Sequence, residues 1–336
     1  MTEKQASPPA QFTPRFRSDI YPFIHPSKFR GSLQDKVAII TGATGVIGAA
    51  LAESFAVAGA KLVLTYLRTP PAREYKERCV QLGAQAVEFV ECDVAEWKEC
   101  GGVVRRALEL HGRVDILVNN AGANGLGPMY SQPPESFIYE MSVNFNGPYY
   151  LMRLLLPHFR SQRSGCVLNI ASRAGTVAIP YSTSYCASKA ALINLTACVQ
   201  KEMDVEGLED VHLYALHPGA IKSSMTLKKY APESVSALPP QAQAAFANTL
   251  DVYNDSPYLN GMVCVALAAG VAKDVLSGKY FDVGQDLEDV LAQAEAIKAK
   301  PDLYSLHTSF LGELTNSGLP PGGYKAEEVK FEFPEF

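Results

Sequence analysis

The chain of 336 residues is long enough for one large α/β domain with additional segments, or for two ordinary domains. Apolar residues make up 47% and charged residues 19% of it, a composition that excludes a disordered chain. The formal net charge is only −5 and the lysines and arginines are scattered, so no nucleic-acid partner is expected.

The seven cysteines are odd in number, and no two of them form a CxxC pair. This pattern indicates reduced thiols in an intracellular compartment, and we predict no metal site. The N-terminus has no apolar stretch of signal-peptide length, and the apolar run at residues 261–272 is too short to span a bilayer. We therefore expect a soluble cytoplasmic protein without a membrane partner.

The first segment in chain order, residues 1–33, is rich in Pro, Ser and polar residues and lacks a sustained hydrophobic period. It is predicted to be an N-terminal arm that lies over a domain rather than a part of its core. Regular structure begins at Lys36. Short apolar runs then predict six buried strands, at residues 37–41, 61–66, 86–91, 115–120, 166–171 and 211–217.

The segments between these runs are long enough for crossover helices, at residues 47–58, 96–110, 136–162 and 185–204. Alternating β and α elements at this spacing predict an α/β fold with a doubly wound parallel sheet, the Rossmann fold. Later elements are a helix at 261–270, a strand at 279–284 and one helical run at 286–300.

The predicted organisation is a single domain at residues 34–284, preceded by the arm at 1–33. A small substrate lobe is expected at about 222–260, and a C-terminal extension at 285–336.

A glycine-rich turn follows the first strand, where TGATGVIG places Gly42, Gly45 and Gly48 before a helix. Glycines allow the backbone to turn tightly and approach a pyrophosphate, whose charge meets the helix N-terminus. The pattern therefore favours a dinucleotide site, although a tight turn with close helix packing would use the same glycines.

The end of the second strand reads LTYLRTPPARE, and Tyr66 stands where an acidic residue would bind the ribose of NAD. No Asp or Glu occurs before Glu74, and Arg68 is close enough to face a 2′-phosphate. This favours NADP(H) and leaves NAD(H) possible; the alternative for Arg68 is a solvated surface charge.

Tyr185 and Lys189 are four residues apart, so on a helix they share one face. A nearby ammonium favours tyrosinate and lowers the phenol pKa towards the range useful for proton transfer. Ser172 lies at the end of a predicted strand, at the carboxyl edge of the sheet where ligands bind in this architecture. The alternative is an amphipathic helix with an exposed lysine.

Asn144 lies in a predicted helix four residues before Pro148, which has no N–H to donate to the Asn144 carbonyl. That carbonyl is available to anchor a water leading from Lys189 to solvent, whereas a simple helix kink is the alternative.

Together these residues resemble the short-chain dehydrogenase/reductase family over about residues 36–284. The motifs TGATGVIG, CDVAE, NNAG, Asn144, Ser172, YCASK and HPG occur in the family's order. The resemblance implies that Tyr185 is the general acid or base, Ser172 orients the carbonyl or alcohol, and Lys189 binds the nicotinamide ribose. Asn144 would complete the catalytic tetrad.

The resemblance also implies that Asp93 and Val94 hold the adenine and that residues after HPG meet the nicotinamide carboxamide. It further implies that Asn119 and Gly122 shape the floor of the cofactor site. For Asn119 and Asn120 the alternative is a role in tying strands together, and His217 is interpreted as structural. The cofactor-binding candidates are Gly42, Thr44, Gly45, Val46, Ile47, Gly48, Tyr66, Arg68, Asp93, Val94, Asn119, Ala121, Gly122, Tyr185, Lys189, Pro218, Gly219, Ile221 and Ser223.

Three features depart from the common family pattern. Gly45 comes three residues after Gly42, a spacing more typical of the family's longer members, and Thr44 replaces an arginine that many NADP-using members carry. The strand KYFDVG stands where many members have a V-D-G-G ending. The arm resembles those of fungal members involved in secondary metabolism or small-alcohol oxidation.

The predicted function is hydride transfer between NADP(H) and a carbonyl or secondary alcohol of a medium-sized, largely apolar substrate. The substrate side would be built from residues 123–130, 173–181 and 222–260. Its apolar side chains are Met225, Leu227, Tyr230, Phe246 and Tyr253, which a plain lid would also explain.

Two other functions share the same site: a non-redox step such as isomerisation, dehydration or cyclisation, and non-catalytic dinucleotide sensing. The resemblance further implies a homodimer or homotetramer through the helices at 136–162 and 185–204.

Overall fold

The computed structural model describes residues 12–226, 235–243 and 253–309. Within them, seven parallel strands form one sheet in the order β3-β2-β1-β4-β5-β6-β7. The predicted doubly wound parallel sheet is therefore confirmed. The strands are β1 Val37–Ile40, β2 Lys61–Tyr66, β3 Ala86–Glu91, β4 Ile116–Asn119, β5 Gly165–Ile170, β6 Val211–His217 and β7 Tyr280–Asp282.

Helices cover both faces of the sheet. They are α1 Pro26–Phe29, α2 Val46–Val57, α3 Arg73–Leu82, α4 Trp97–His111, α5 Pro134–Met141, α6 Gly147–Gln162, α7 Thr183–Val205, α8 Pro257–Ala268, α9 Lys273–Leu276, α10 Leu287–Leu291 and α11 Ala294–Ala299. Short 3₁₀ turns occur at Pro22–Ile24 and Arg173–Gly175.

Alternate residues of β1 enter two separate cores because side chains of a strand point to opposite faces. Ala38 and Ile40 pack with α2 and α8, whereas Val37 and Ile39 pack with α4, α6 and α7. All four side chains are fully buried. Burial on both faces explains why the strands read as unbroken apolar runs.

The helix predicted at residues 136–162 is interrupted. A π-helical turn at Ser142–Asn146 separates α5 from α6, and the Gly147 amide donates to the Ser142 carbonyl five residues earlier. Pro148 lies at the start of α6, where its missing N–H is tolerated. The interruption of the helix therefore lies before Pro148, and Asn144 is in the middle of the π-helical turn.

Helix α3 was not among the predicted helices. Its sequence REYKERCVQL is mostly charged or polar, and Cys79 is its one buried residue. Tyr75 and Leu82 pack on the core beside Cys79 but are only partly buried, so the apolar stripe is narrow and lies among charged residues. The signals that remain are Pro70 and Pro71 shortly before the helix and Gly83 at its end.

The arm does contribute to the core, contrary to the sequence-based expectation. Tyr21, Ile24, Phe29 and Leu33 are buried in the same cluster as α2 and α8. These apolar side chains are spaced among Pro, His and Lys residues, so they form no regular period that a pattern search would detect.

The C-terminal run predicted as one helix forms the two short helices α10 and α11. Gln293 lies between them, and its side-chain oxygen accepts a hydrogen bond from the Phe12 amide of the arm at 2.9 Å. Leu287, Val290 and Ile297 from this region are buried in the core. Among the described helices, none is both long and apolar enough to cross a membrane.

Helices α2 and α8 make a close contact at Gly261, where an added Cβ would lie 2.2 Å from Ser54 Oγ and 3.0 Å from the Ala50 carbonyl oxygen. Gly261→Ala should therefore lower the free energy of unfolding by about 1–3 kcal/mol. Gly101→Ala is the matched control, because an added Cβ there meets nothing within 4 Å. It should raise stability by about 0.5–1 kcal/mol through helix propensity.

Urea denaturation of both variants and the wild type measures the two changes. Equal stability of Gly261→Ala and the wild type would contradict the close packing of α2 on α8.

Candidate active site

A cleft of about 430 Å³ lies at the carboxyl ends of the strands. It follows the point where strand order reverses between β1 and β4, the expected ligand site of a doubly wound sheet. Its lining residues are Gly42, Thr44, Gly45, Val46, Ile47, Gly48, Thr65, Tyr66, Leu67, Cys92, Asp93, Val94, Asn120, Ala121, Gly122, Ala123, Tyr139, Val143, Ser223, Ser224 and Met225.

The glycine turn forms one wall of this cleft. Gly42 has φ of +61°, and an added Cβ at Gly48 would lie 2.2 Å from the Gly42 carbonyl oxygen. Both positions therefore require glycine. Gly45 and Thr44 are exposed at the start of the 12-residue helix α2, so backbone N–H groups at its N-terminus face the cleft.

The loop after β4 is tied to the glycine turn through Thr41. The amides of Asn120 and Ala121 donate to Thr41 Oγ1 at 2.9 and 3.0 Å, and Asn120 Nδ2 donates to the Thr41 carbonyl at 2.8 Å. Sequence reasoning did not select Asn120 as a site residue, yet it lines the cleft. These bonds fix the floor beneath the turn.

Asn119 has a different position from its neighbour. Its side chain is buried, does not line the cleft, and donates from Nδ2 to Asn169 Oδ1 on β5 at 2.8 Å. Asn169 Nδ2 in turn donates to Thr196 Oγ1 on α7 at 2.9 Å. The structure therefore favours the alternative in which Asn119 ties strands together.

The far end of the cleft contains Tyr66, Leu67 and the segment after β3. Asp93 Oδ1 accepts from the Ala95 amide at 3.0 Å, and Asp93 Oδ2 accepts from the Tyr139 hydroxyl at 3.3 Å. Burial and the Asp93 charge raise the pKa of Tyr139, and the positive charge of Arg68 opposes this. Tyr139 was missed because it comes from α5, far away in sequence.

Arg68 is exposed and has φ of +64°, but it does not line the cleft itself. It immediately follows Leu67, which does. Its positive charge acts on Tyr139, which also lines the cleft, so a long side chain at this position can reach an anion bound there.

Tyr185 and Lys189 lie on one face of α7, as the spacing predicts. The Lys189 ammonium lies 5.7 Å from the centre of the Tyr185 ring and donates to the Ile170 carbonyl at 2.7 Å. Burial lowers the pKa of Lys189 to about 8.

Ser172 begins the 3₁₀ turn Arg173–Gly175 directly after β5, and its Oγ accepts from the Ala174 amide at 3.1 Å. With that amide as donor, the hydroxyl keeps its own hydrogen for another acceptor. The serine therefore has the chemistry to donate to a substrate oxygen at the carboxyl edge of β5.

The Asn144 side chain is fully buried in the π-helical turn and is engaged by the loop after β4. Its Oδ1 accepts from the Ala123 amide at 2.9 Å, and its Nδ2 donates to the Ala123 carbonyl at 2.8 Å. The side chain thus fixes this loop, and a water bound at the Asn144 carbonyl stays a prediction.

The segment after β6 reaches the cleft through Ser223, while Pro218, Gly219 and Ile221 lie outside its lining. The Ala220 amide donates to Asp255 Oδ2 at 2.6 Å, which anchors this segment. Burial lowers the pKa of His217 to about 4, and its Nδ1 accepts from the Arg173 amide at 3.4 Å. A neutral, buried acceptor agrees with a structural role for His217.

These residues fit a nicotinamide dinucleotide. The glycine turn leaves a cradle that a Cβ would fill, and a buried ammonium lies beside a partly buried tyrosine. In residues 12–226, 235–243 and 253–309, no three His, Cys, Asp or Glu side chains form a group that could hold a metal ion.

Proteins of similar sequence are dehydrogenases and oxidoreductases. The chain is 32% identical to a short chain dehydrogenase of Pseudocercospora fijiensis over 282 residues, which is 83% of this chain and 90% of the relative. It is 33% identical to the 2-(R)-hydroxypropyl-CoM dehydrogenase of Xanthobacter autotrophicus over 243 residues, 68% of this chain and 96% of the relative. An uncharacterized oxidoreductase of Thermotoga maritima is 34% identical over 192 residues, 57% of this chain and 74% of the relative.

A family model described as short chain dehydrogenase matches residues 36–234, which include the glycine turn, Ser172, Tyr185 and Lys189. The chain is therefore an NAD(P)-dependent enzyme of the short-chain dehydrogenase/reductase family.

Proposed function

We propose that this enzyme moves hydride between NADP(H) and a carbonyl or secondary alcohol of a medium-sized, largely apolar substrate, with Tyr185 as general acid or base. The observation that carries the proposal is the buried Lys189 ammonium beside the Tyr185 ring, at the edge of the sheet that also holds Ser172. When bound, the nicotinamide supplies or accepts the hydride.

Tyr185 would exchange the proton with the substrate oxygen. A tyrosinate next to an ammonium is stabilised by Coulomb attraction, more strongly than in water because Lys189 is buried. The Ile170 carbonyl holds the ammonium in position, so the charge does not need to be reoriented during the reaction. Ser172 would donate its hydroxyl hydrogen to the same substrate oxygen and orient it.

The preference for NADP(H) is supported by Arg68 at the cleft rim and by the absence of acidic residues between Tyr66 and Glu74. One charge opposes it. Glu91 pairs with Tyr66 in the register of β2 and β3, and it is exposed. Binding of a 2′-phosphate therefore requires that its attraction to Arg68 exceed its repulsion from Glu91.

The apolar character of the substrate is supported by the loops around the catalytic edge. Met129, Val177 and Ile179 are exposed on the loops at residues 123–130 and 173–181. The Gly127 amide donates to the Tyr181 carbonyl at 3.0 Å, which joins the two loops. Met225 lines the cleft and Tyr253 is partly buried, while Leu227, Tyr230 and Phe246 lie outside the described residues.

The same proposal includes a homodimer or homotetramer in the cytoplasm. Exposed Ile138 and Tyr149 on α5 and α6 provide apolar surface for a second copy of the chain. All seven cysteines are free thiols, as expected for a reducing compartment. The residue boundaries 1–33, 34–284 and 285–336 remain our proposal for the organisation of the chain.

Arg68→Ala should weaken NADPH binding about tenfold and leave NADH binding unchanged, because one exposed charge-assisted contact to the phosphate is removed. Arg73→Ala is the matched control, since this exposed arginine on α3 pairs with Glu77 at 2.8 Å. Titration followed by nicotinamide fluorescence measures the affinities of the wild type and both variants for NADPH and NADH, six values in all. Equal or tighter binding of NADH by the wild type would overturn the NADP(H) preference.

Tyr185→Phe should reduce turnover of carbonyl substrates by at least about 10²-fold while cofactor affinity stays the same, because the proton donor alone is removed. A panel of apolar ketones and aldehydes with NADPH, followed by its absorbance, provides the measurement. Retained turnover in Tyr185→Phe would contradict the proposed acid. A product of unchanged oxidation level, formed without net cofactor turnover, would indicate a non-redox reaction instead.

A further inference from the structure

Arg173 directly follows the proposed catalytic serine and is held by residues from both ends of the chain. Its Nε donates to Asp282 Oδ2, at the end of β7, at 2.7 Å. Its guanidinium carbon lies 5.8 Å from the centre of the Phe16 ring, which belongs to the arm. The arginine is thus bounded by a carboxylate and an aromatic face, the two partners that guanidinium groups favour.

The arm is fastened to the turn that follows β7. Phe16 pairs with Gln285 in an antiparallel bridge, and the Arg17 amide donates to the Gly284 carbonyl at 2.7 Å. Arg17 also forms an ion pair of 2.8 Å with Asp286, whose side chain is only 1% exposed. A carboxylate this deeply buried requires its partner, so the arm and the turn hold each other.

This turn also holds Asp282. Its Oδ1 accepts from the Gly284 amide at 3.0 Å while its Oδ2 receives the arginine. Phe16 lies against the same glycine, since an added Cβ at Gly284 would be 3.0 Å from the ring. A contact chain therefore runs from Phe16 through Gly284 and Asp282 to Arg173.

The last link is the turn that orients Ser172. The Ala174 amide donates to Ser172 Oγ and the Gly175 amide donates to the Ser172 carbonyl at 3.0 Å. Arg173 lies between Ser172 and these two donors, and its own amide donates to His217 Nδ1. Movement of Arg173 would therefore change the direction of the serine hydroxyl.

We infer that Arg173 is a positioning residue, and that Asp282 and Phe16 act through it to aim the Ser172 hydroxyl at the substrate oxygen. Phe16 and Asp282 both lie outside the residues 36–234 that match the family model. The arm then helps to form the edge of the sheet that holds Ser172 and Tyr185. The inference rests on the proposed function of Ser172.

The energetics separate positioning from folding. Arg173 and Asp282 have side-chain exposures of 53% and 11%, and Phe16 is 65% exposed. Phe16→Ala removes a mostly exposed ring and breaks no ion pair, so it should leave the fold intact, whereas Arg173→Ala leaves the largely buried Asp282 carboxylate without its arginine and should lower stability. Reaction rates, in contrast, are sensitive to displacements of about 1 Å in a catalytic group.

The test uses the full-length protein and the variants Arg173→Ala, Arg173→Lys, Asp282→Asn and Phe16→Ala. Hydrogen–deuterium exchange of the Ala174 to Thr176 amides reports on the turn without any substrate. We expect exchange to increase about tenfold in Arg173→Ala, Asp282→Asn and Phe16→Ala. The melting temperature of Phe16→Ala should change by less than about 2 °C, and NADPH affinity should stay the same in all three variants.

Kinetics supply the second readout, with 9,10-phenanthrenequinone as the carbonyl probe and NADPH as the reductant. We expect kcat to fall about 10- to 100-fold in Arg173→Ala with little change in KM, and Arg173→Lys to recover part of the loss. Arg106→Ala is the control, because the half-exposed Arg106 also forms an ion pair with a carboxylate, 2.6 Å from Glu88, but on the opposite edge of the sheet. It should change neither readout.

Unchanged exchange in Arg173→Ala and Phe16→Ala would overturn the inference, and so would equal changes in Arg106→Ala. If Arg173→Ala lowers the melting temperature strongly, Phe16→Ala decides the question, since this ring is mostly exposed. If Tyr185→Phe retains turnover, or the wild type does not reduce the probe, the proposed function is contradicted. The exchange data then still decide whether the arm positions Ser172.

Discussion

Burial of the parallel sheet on both faces is the constraint from which the rest of the structure follows. Because β1 is completely buried, helices must cover both sides, and each crossover returns the chain to the same end of the sheet. The segments that follow the strands therefore collect along one edge. Strand order reverses between β1 and β4, which separates two of these segments and opens the cleft. The glycine turn and the serine after β5 lie at this edge for the same topological reason.

Most of the fold could be predicted from the sequence because two-sided burial leaves unbroken apolar runs. Six strands were located to within one residue at each end on this basis. Helix α3 was missed because its apolar stripe, Tyr75, Cys79 and Leu82, is narrow and lies among charged side chains. The π-helical turn at Ser142–Asn146 was missed because the sequence marks a flaw near Pro148, whereas surrounding packing decides which hydrogen bonds change. The apolar side chains of the arm were overlooked for lack of a period.

The candidate site was predictable where local geometry determines it. Tyr185 and Lys189 are neighbours because of the helix period alone, and the glycine turn follows directly from its strand. Asn119 and Asn120 show where prediction of the site from the sequence fails. Consecutive residues of a strand point in opposite directions, and the sequence does not tell which of the two faces the cleft. Tyr139 and Met225 come from distant segments, so only the course of the backbone brings them to the cofactor cleft.

The pairing of the arm with the turn after β7 has a consequence for the order of assembly. Arg17 and Asp286 are separated by 269 positions, and the carboxylate is almost completely buried once they meet. A chain synthesised from its N-terminus can form β1 to β6 while the arm still lacks its partner. The arm therefore leaves the ribosome well before the turn with which it pairs, and it reaches its final place only after that turn has been made. Completion of the sheet edge that holds Ser172 would then wait until the turn after β7 has been synthesised.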